Sequence, residues 1–170
     1  MLDPRSDDRP FWENIEAITD AARAMSVRLA PPVLESYGLA EALRSLASDT
    51  SGCRIGLRLE WKEAAAPEVE TLLFRIVQEA IDNVRQHSGV SAATIELTAG
   101  DRWGELRIGD LGVGFAVAQE ALRQREQPGR GLARASAYAR ALGGRLTINS
   151  VPGFGTTIRV RFPVSPQLPP

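Results

Sequence analysis

Three short glycine motifs and one helix edge carry the side chains of this sequence that could do chemistry. In "GELRIGDLGVGF", Asp110 ends an alternating apolar run and is followed by Gly112 and Gly114. A carboxylate there can accept a hydrogen bond from an exocyclic amine, and glycines let a flat ligand come close to the backbone. "PGRGL" sets Gly129 and Gly131 directly before a helical stretch. Free backbone N–H groups and the helix dipole make that position suited to phosphate. "GFGTT" places Thr156 and Thr157 behind two glycines at the start of a strand, where one hydroxyl can meet a ligand while the other faces solvent. Taken singly, each motif has a plainer counterpart: a turn, a loop running into a helix, a good strand residue.

The helix edge lies in "RIVQEAIDNVRQHSGV", residues 75–90. With 3.6 residues per turn, Glu79, Asn83 and His87 stack into one stripe beside an apolar face of Leu73, Ile76, Val77, Ala80, Ile81 and Val84. Polar groups on the border of a core need partners, within the protein or in something that binds it. The plainer reading is a solvated edge with His87 capping the helix near Ser88-Gly89.

Composition removes several classes of function. A net charge of −1 and a pI of about 5.9 argue against nucleic acid as a partner. All but one of the 20 basic residues are arginine, and the exception, Lys62, stands outside any glycine-rich loop. That excludes a phosphate loop of the GxxxxGK[ST] form. Asp110-x-Gly112-x-Gly114 is not a dinucleotide fingerprint, because Val117 occupies the place of the third glycine. One cysteine, Cys53, and one histidine make a disulfide framework or a transition-metal cluster improbable. No apolar run approaches the roughly 20 residues that span a bilayer, and "MLDPRSDDRPF" lacks a signal-peptide pattern, so a cytoplasmic location is expected.

The elements that must position these groups follow from periodicity. Residues 11–30 repeat apolar positions at helical spacing until "APP" stops them, and 38–51 read as a second, short helix. "CRIGLRLEW", 53–61, alternates Ile55, Leu57, Leu59 and Trp61 on one strand face. A helix is predicted over 67–86, followed by two strands joined at Gly100-Asp101 with Ile95, Leu97, Leu106 and Ile108 as core positions. "LARASAYARALGG" reads as a helix ending at a glycine pair, and "RLTINSVPGFGTTIRVRFP" as two strands around a Pro-Gly turn. The expected fold is an α/β (α+β) sandwich, a mixed and mostly antiparallel sheet covered on one face by helices, with an N-terminal helical appendage.

The order of the motifs resembles the GHKL ATPase superfamily, which includes histidine kinases, topoisomerase ATPase domains and mismatch-repair ATPases. "QEAIDNVRQH" looks like its N box, "DLGVG" like its G1 box, "GRGL" like its G2 box and "GFGTT" like its last glycine-threonine element. The resemblance covers about residues 53–163 and implies a Bergerat-type ATP-binding fold. Upstream, "LAPPVLESYGLAEALRSL" is similar to the segment before the ATPase domain in two-component sensor kinases with short lids, the nitrate-sensor-like subfamily. The resemblance thus implies two parts: 1–50, the end of a dimerisation and phosphotransfer hairpin with its connecting helix, and 51–165, an ATP-binding catalytic domain.

Carried over position by position, the resemblance implies that Glu79 is the catalytic carboxylate and Asn83 a ligand to Mg²⁺. His87 would lie near the phosphates, and Asp110 would recognise the adenine amino group. Gly112 and Gly114 would shape the base pocket, Gly129, Gly131 and Leu132 would form the phosphate-side lid, and Thr156 would assist at the adenine. Gln86 stands where relatives often carry a basic residue, and Leu111 where Asn is frequent. His87 belongs to the N-box helix, so the phospho-acceptor histidine is expected outside this chain. The implied partners are ATP, the acceptor helix of the parent kinase, a response regulator and a second copy in a homodimer. Two rivals remain: a serine kinase of the same superfamily acting on an anti-sigma antagonist, and a non-catalytic nucleotide-binding or dimerisation module.

Overall fold

In the computed structural model, residues 31–49, 52–61, 65–117 and 131–164 are described. The helix predicted over 11–30 and Gly129 lie outside them. The described elements run α1 (Pro32–Ser48), β1 (Arg54–Glu60), α2 (Pro67–His87), β2 (Ala92–Ala99), β3 (Trp103–Asp110), α3 (Gly131–Ala141), β4 (Arg145–Ser150) and β5 (Thr156–Pro163).

Alternating apolar residues make five strands, and they form one sheet in the order β1-β2-β3-β5-β4. β1 and β2 are parallel, as two strands joined by a crossover helix must be, whereas the other three pairings are antiparallel. Ile95, Leu97, Leu106, Ile108, Ile158, Val160 and Phe162 are buried, as are Leu73, Ile76, Val77, Ala80, Ile81 and Val84 of α2, which packs on β2 and β3, while α3 packs on β4 and β5. Burying side chains of this size contributes roughly 1.5–3 kcal/mol each. The opposite face alternates to exposed residues such as Arg58, Arg107, Thr147 and Arg159. The sandwich expected from the sequence is therefore present, with helices on one face.

α3 ends as the glycine pair predicts. Gly143 takes φ 68°, its N–H reaches Arg140 O at 2.9 Å, and the Gly144 N–H reaches Ala139 O at 2.9 Å. This double bond from two glycines is the Schellman arrangement, and it satisfies carbonyls that would otherwise be orphaned.

The chain divides between Pro32 and Val33, so residues 33–48 belong to the same compact unit as the sheet. Leu34, Leu39, Ala42 and Leu43 are buried, and the helix breaks at Gly38 (φ 77°, ψ 179°). The second half starts with the Leu39 N–H donating to Glu70 Oε2 at 3.0 Å, so a buried carboxylate of α2 caps a helix remote in sequence. Among the described residues no helix is long and apolar enough to cross a membrane.

Candidate functional site

A cleft of about 270 Å³ opens between α2, the end of β3, the start of α3 and the start of β5. Ala80, Val84, Ile108 and Ile158 supply apolar walls, and Asp110, Thr156, Asn83 and His87 supply polar groups. A mostly apolar slot with a few convergent polar groups is the usual form of a small-molecule site.

The sheet builds one corner. β3 and β5 run antiparallel with Asp110 opposite Thr156, so two residues 46 positions apart end up as neighbours. Asp110 Oδ1 accepts the Gly112 N–H at 2.8 Å, which fixes the carboxylate and leaves Oδ2 for a ligand amine. Ser150 ties the corner together. Its Oγ accepts the Phe115 N–H at 2.9 Å, lies 3.0 Å from Gly155 O, and meets Thr156 Oγ1 at 2.9 Å.

The glycines here serve the backbone first. Gly114 lines the cleft, takes φ 58°, and has Val151 O where a Cβ would stand. Gly112 is buried against Ser88 O and stands outside the lining. Gly155, at φ 82°, packs on Asp110 O in the same way. Their chief effect is to bring two loops within touching distance, and that contact gives the pocket its wall.

The helices build the other corner. Asn83, His87, Gly131 and Leu132 all line the cleft. Asn83 Nδ2 is buried with no hydrogen-bond partner, and a Cβ on Gly131 would come within 3.2 Å of the Asn83 carboxamide. An orphaned buried amide costs about 1–3 kcal/mol, a cost that a polar ligand can recover. Gly131 is the first described residue of α3 and lines this end of the cleft.

Glu79 stands just behind this corner. Its carboxylate pairs with Arg134, Nε to Oε1 at 3.0 Å and Nη2 to Oε2 at 3.1 Å, and Oε2 would be 2.8 Å from a Cβ on Gly131. The helix-edge residues therefore divide: Asn83 and His87 face the cleft, and Glu79 reaches it only past Gly131. The end of α2 is capped by Ser88, not by His87. Ser88 Oγ bonds Val84 O at 2.6 Å and accepts the Val90 N–H at 3.1 Å, while its carbonyl accepts the Val113 N–H at 2.8 Å.

Sequence reasoning missed Arg134, Ser88 and Ser150. The only available signals were an arginine one turn into a helix and two serines at element ends. Cys53 is buried at the foot of β1, and burial pushes its thiol up, with the Arg85 charge opposing and Asp110 adding. Among the described residues no three His, Cys, Asp or Glu side chains converge on a metal position. A Mg²⁺ ion held by the Asn83 oxygen would thus depend on oxygens brought by its ligand, as this hard cation commonly does.

The chain belongs to the histidine kinase-, DNA gyrase B- and HSP90-like ATPase family, whose profile matches residues 68–166. It is 34% identical to sensor histidine kinase YhcY of Bacillus subtilis over 84% of this chain and 36% of that protein. It is 35% identical to sensor histidine kinase LiaS of the same organism, over 85% of this chain and 39% of that one. Sensor histidine kinase NarS of Mycobacterium tuberculosis is 30% identical, over 88% and 35%. The chain thus spans little more than a third of the length of these relatives. In structure it resembles the blue-light activated histidine kinase of Erythrobacter litoralis EL346 (TM-score 0.62, 18% identity, 76% of this chain and 42% of that one). It also resembles the mycobacterial sensor histidine kinase MprB (TM-score 0.55, 22% identity, 76% and 93%).

Proposed function

We propose that this chain is the ATP-binding catalytic domain of a sensor histidine kinase, moving the γ-phosphoryl of Mg·ATP to a histidine outside the chain for relay to a response-regulator aspartate. The observation that carries the reading is the convergence of four separate motifs on one cleft, with Asp110 beside Thr156 and the unpartnered Asn83 amide beside Gly131.

In this reading Asp110 Oδ2 accepts the adenine amino group while Ile108, Ile158 and Ala80 hold the ring in an apolar slot. Asn83 would hold Mg²⁺ through its carboxamide oxygen, and the ion would supply charge neutralisation on the phosphates when bound. The backbone at Gly131 and Leu132 offers N–H groups to the phosphates, and His87 flanks them. The acceptor nitrogen forms its bond to phosphorus as the bond to the ADP oxygen breaks, and the ring proton passes to Glu79. Positioning and charge do most of the work in such a transfer.

The test is to incubate the chain with γ-labelled ATP and a separate dimerisation hairpin from the parent kinase that carries the acceptor histidine. Acid-labile, base-stable phosphate should appear on the hairpin and not on this chain. Absence of nucleotide binding would favour a non-catalytic module, and acid-stable label on an anti-sigma antagonist the serine-kinase rival. Label on His87 of this chain alone would turn the helix stripe into an acceptor site.

A further inference from the structure

The face of the sheet turned away from the helices sets like charges against one another. In the register of β3 with β5, Arg107 stands directly opposite Arg159, and in that of β4 with β5, Arg145 stands directly opposite Arg161. All four are exposed. Side chains placed in this way have Cβ atoms about 4.5–5.5 Å apart, and like charges there cost stability. Glu105 enters the block opposite Arg161 and pairs with Arg159 at 3.4 Å, and Glu96 borders it across from Arg107. Arg107 and Arg145 have no ion pair among the described residues. Charges on an edge strand guard it against unwanted pairing, which accounts for Arg145 on β4. β3 and β5 are paired on both sides, so the other three arginines serve no such end. Beside them Trp103 is 47% exposed, with the Arg161 guanidinium 4.8 Å from its ring centroid. Tryptophan and arginine are among the residues most enriched at the energetic centres of protein interfaces.

We propose that this face is a docking surface for a protein partner whose own surface is rich in carboxylates. Such a partner supplies the anions that the strand register withholds, so the repulsion carried by the free chain is relieved on binding. Arginines on neighbouring strands, about 4.8 Å apart, present their forks at a spacing that side-chain carboxylates can meet two oxygens at a time. The chain carries −1 overall, so the block is a local excess on an otherwise acidic molecule, which repels a long anionic polymer or lipid surface. Glu105 and Glu96 act in the same sense: a mixed pattern selects a partner of complementary pattern over a uniform field of negative charge. The nucleotide cleft lies on the helix-covered side of the sheet, so both can be occupied together. The assignment is therefore independent of the kinase reading.

A short poly-L-glutamate serves as the carboxylate probe, titrated into the full chain and followed by NMR shift mapping and calorimetry, beside a short DNA duplex and phosphatidylglycerol vesicles. Poly-glutamate should shift the Trp103 indole and the backbone amides of Arg107, Arg159 and Arg161. The double Arg107→Glu/Arg159→Glu variant should bind it about tenfold or more weakly, the scale of charge reversal at a complementary surface. Arg145→Thr removes one like-charge pair, so its melting temperature should rise by about 1–3 °C while its hold on poly-glutamate falls. Should the double variant not fold, as judged by circular dichroism, the single Arg107→Thr and Arg145→Thr chains decide the affinity. Shifts scattered over the whole molecule, equal affinity in the charge-reversed variant, or an Arg145→Thr chain less stable than the parent would overturn the docking surface. Tighter binding of the duplex or of the vesicles than of poly-glutamate would overturn a protein as its occupant.

Discussion

The two corners of the cleft are held in different ways. At the Asp110 corner most hydrogen bonds engage the backbone: Gly112 N–H to Asp110, Phe115 N–H to Ser150, Ser150 to Gly155 O, with the Asp110–Thr156 neighbourhood fixed by strand register. At the Glu79 corner the contacts join side chain to side chain across 55 positions, and one amide has no partner. Register changes only if strands come apart, whereas side-chain pairs can exchange partners within an intact fold. Selection of a ligand by shape and amine pattern belongs to the first kind of construction. Chemistry that needs groups to change partners belongs to the second.

If that division holds, the largest single effect lies at the exchangeable corner and appears in rate. Glu79→Ala should slow phosphotransfer to a supplied hairpin by about a hundredfold or more, the lower range for loss of a general base. ATP affinity should stay within severalfold of the parent, as expected of an interaction made mainly in the transition state. Single-turnover transfer beside calorimetry separates the two quantities. Parallel losses in both would erase the distinction between the corners.

Asp110→Asn attacks the rigid corner and should appear in affinity. The carboxamide keeps the size of the side chain but can turn an N–H₂ toward a ligand amine. A loss of about ten- to a hundredfold in ATP binding is expected, the worth of a hydrogen bond to a charged acceptor, with an unchanged circular dichroism spectrum. Undiminished affinity in a folded Asp110→Asn protein would remove Asp110 from the site.

Asn83→Ala sharpens the comparison from the side of the metal. The variant should bind nucleotide without Mg²⁺ much as the parent does, while the gain that Mg²⁺ gives the parent shrinks severalfold. Superimposable Mg²⁺ titrations for the two proteins would show that Asn83 serves the cleft in another way.

The same division sets how far the site was legible in the sequence. Asp110, Gly114 and Thr156 sit in contiguous motifs whose glycines advertise tight turns, and the alternation of Ile95, Leu97, Leu106 and Ile108 announces the strands beneath them. The Glu79–Asn83–His87 stripe is legible because a helix repeats. Nothing local announces that Arg134 closes on Glu79, since the pairing exists only once α2 and α3 have packed. Nor does a period reveal that Glu70 is buried to cap the residues after Gly38. The glycines themselves were half legible. Their spacing marked the loops, while the reason for Gly112, the carbonyl of Ser88 against it, belongs to tertiary contact.

The smallest effect expected is at Thr156, and it tests how completely the backbone governs the rigid corner. Thr156 Oγ1 lies 2.9 Å from Ser150 Oγ, but Ser150 also accepts the Phe115 N–H and reaches Gly155 O. In Thr156→Val the strand keeps a β-branched residue in register opposite Asp110, and Ser150 keeps two of its three contacts. Thermal stability should therefore fall by no more than about 1 kcal/mol, the usual worth of one neutral hydrogen bond, and ATP affinity by less than about fivefold, an equivalent cost. Ser150→Ala removes all three contacts at once and should cost more in both measurements, through the loosened Phe115 segment. If Thr156→Val instead matched Asp110→Asn in lost affinity, the hydroxyl would be a direct contact to the base. The corner would then recognise its ligand by side chains as much as by register.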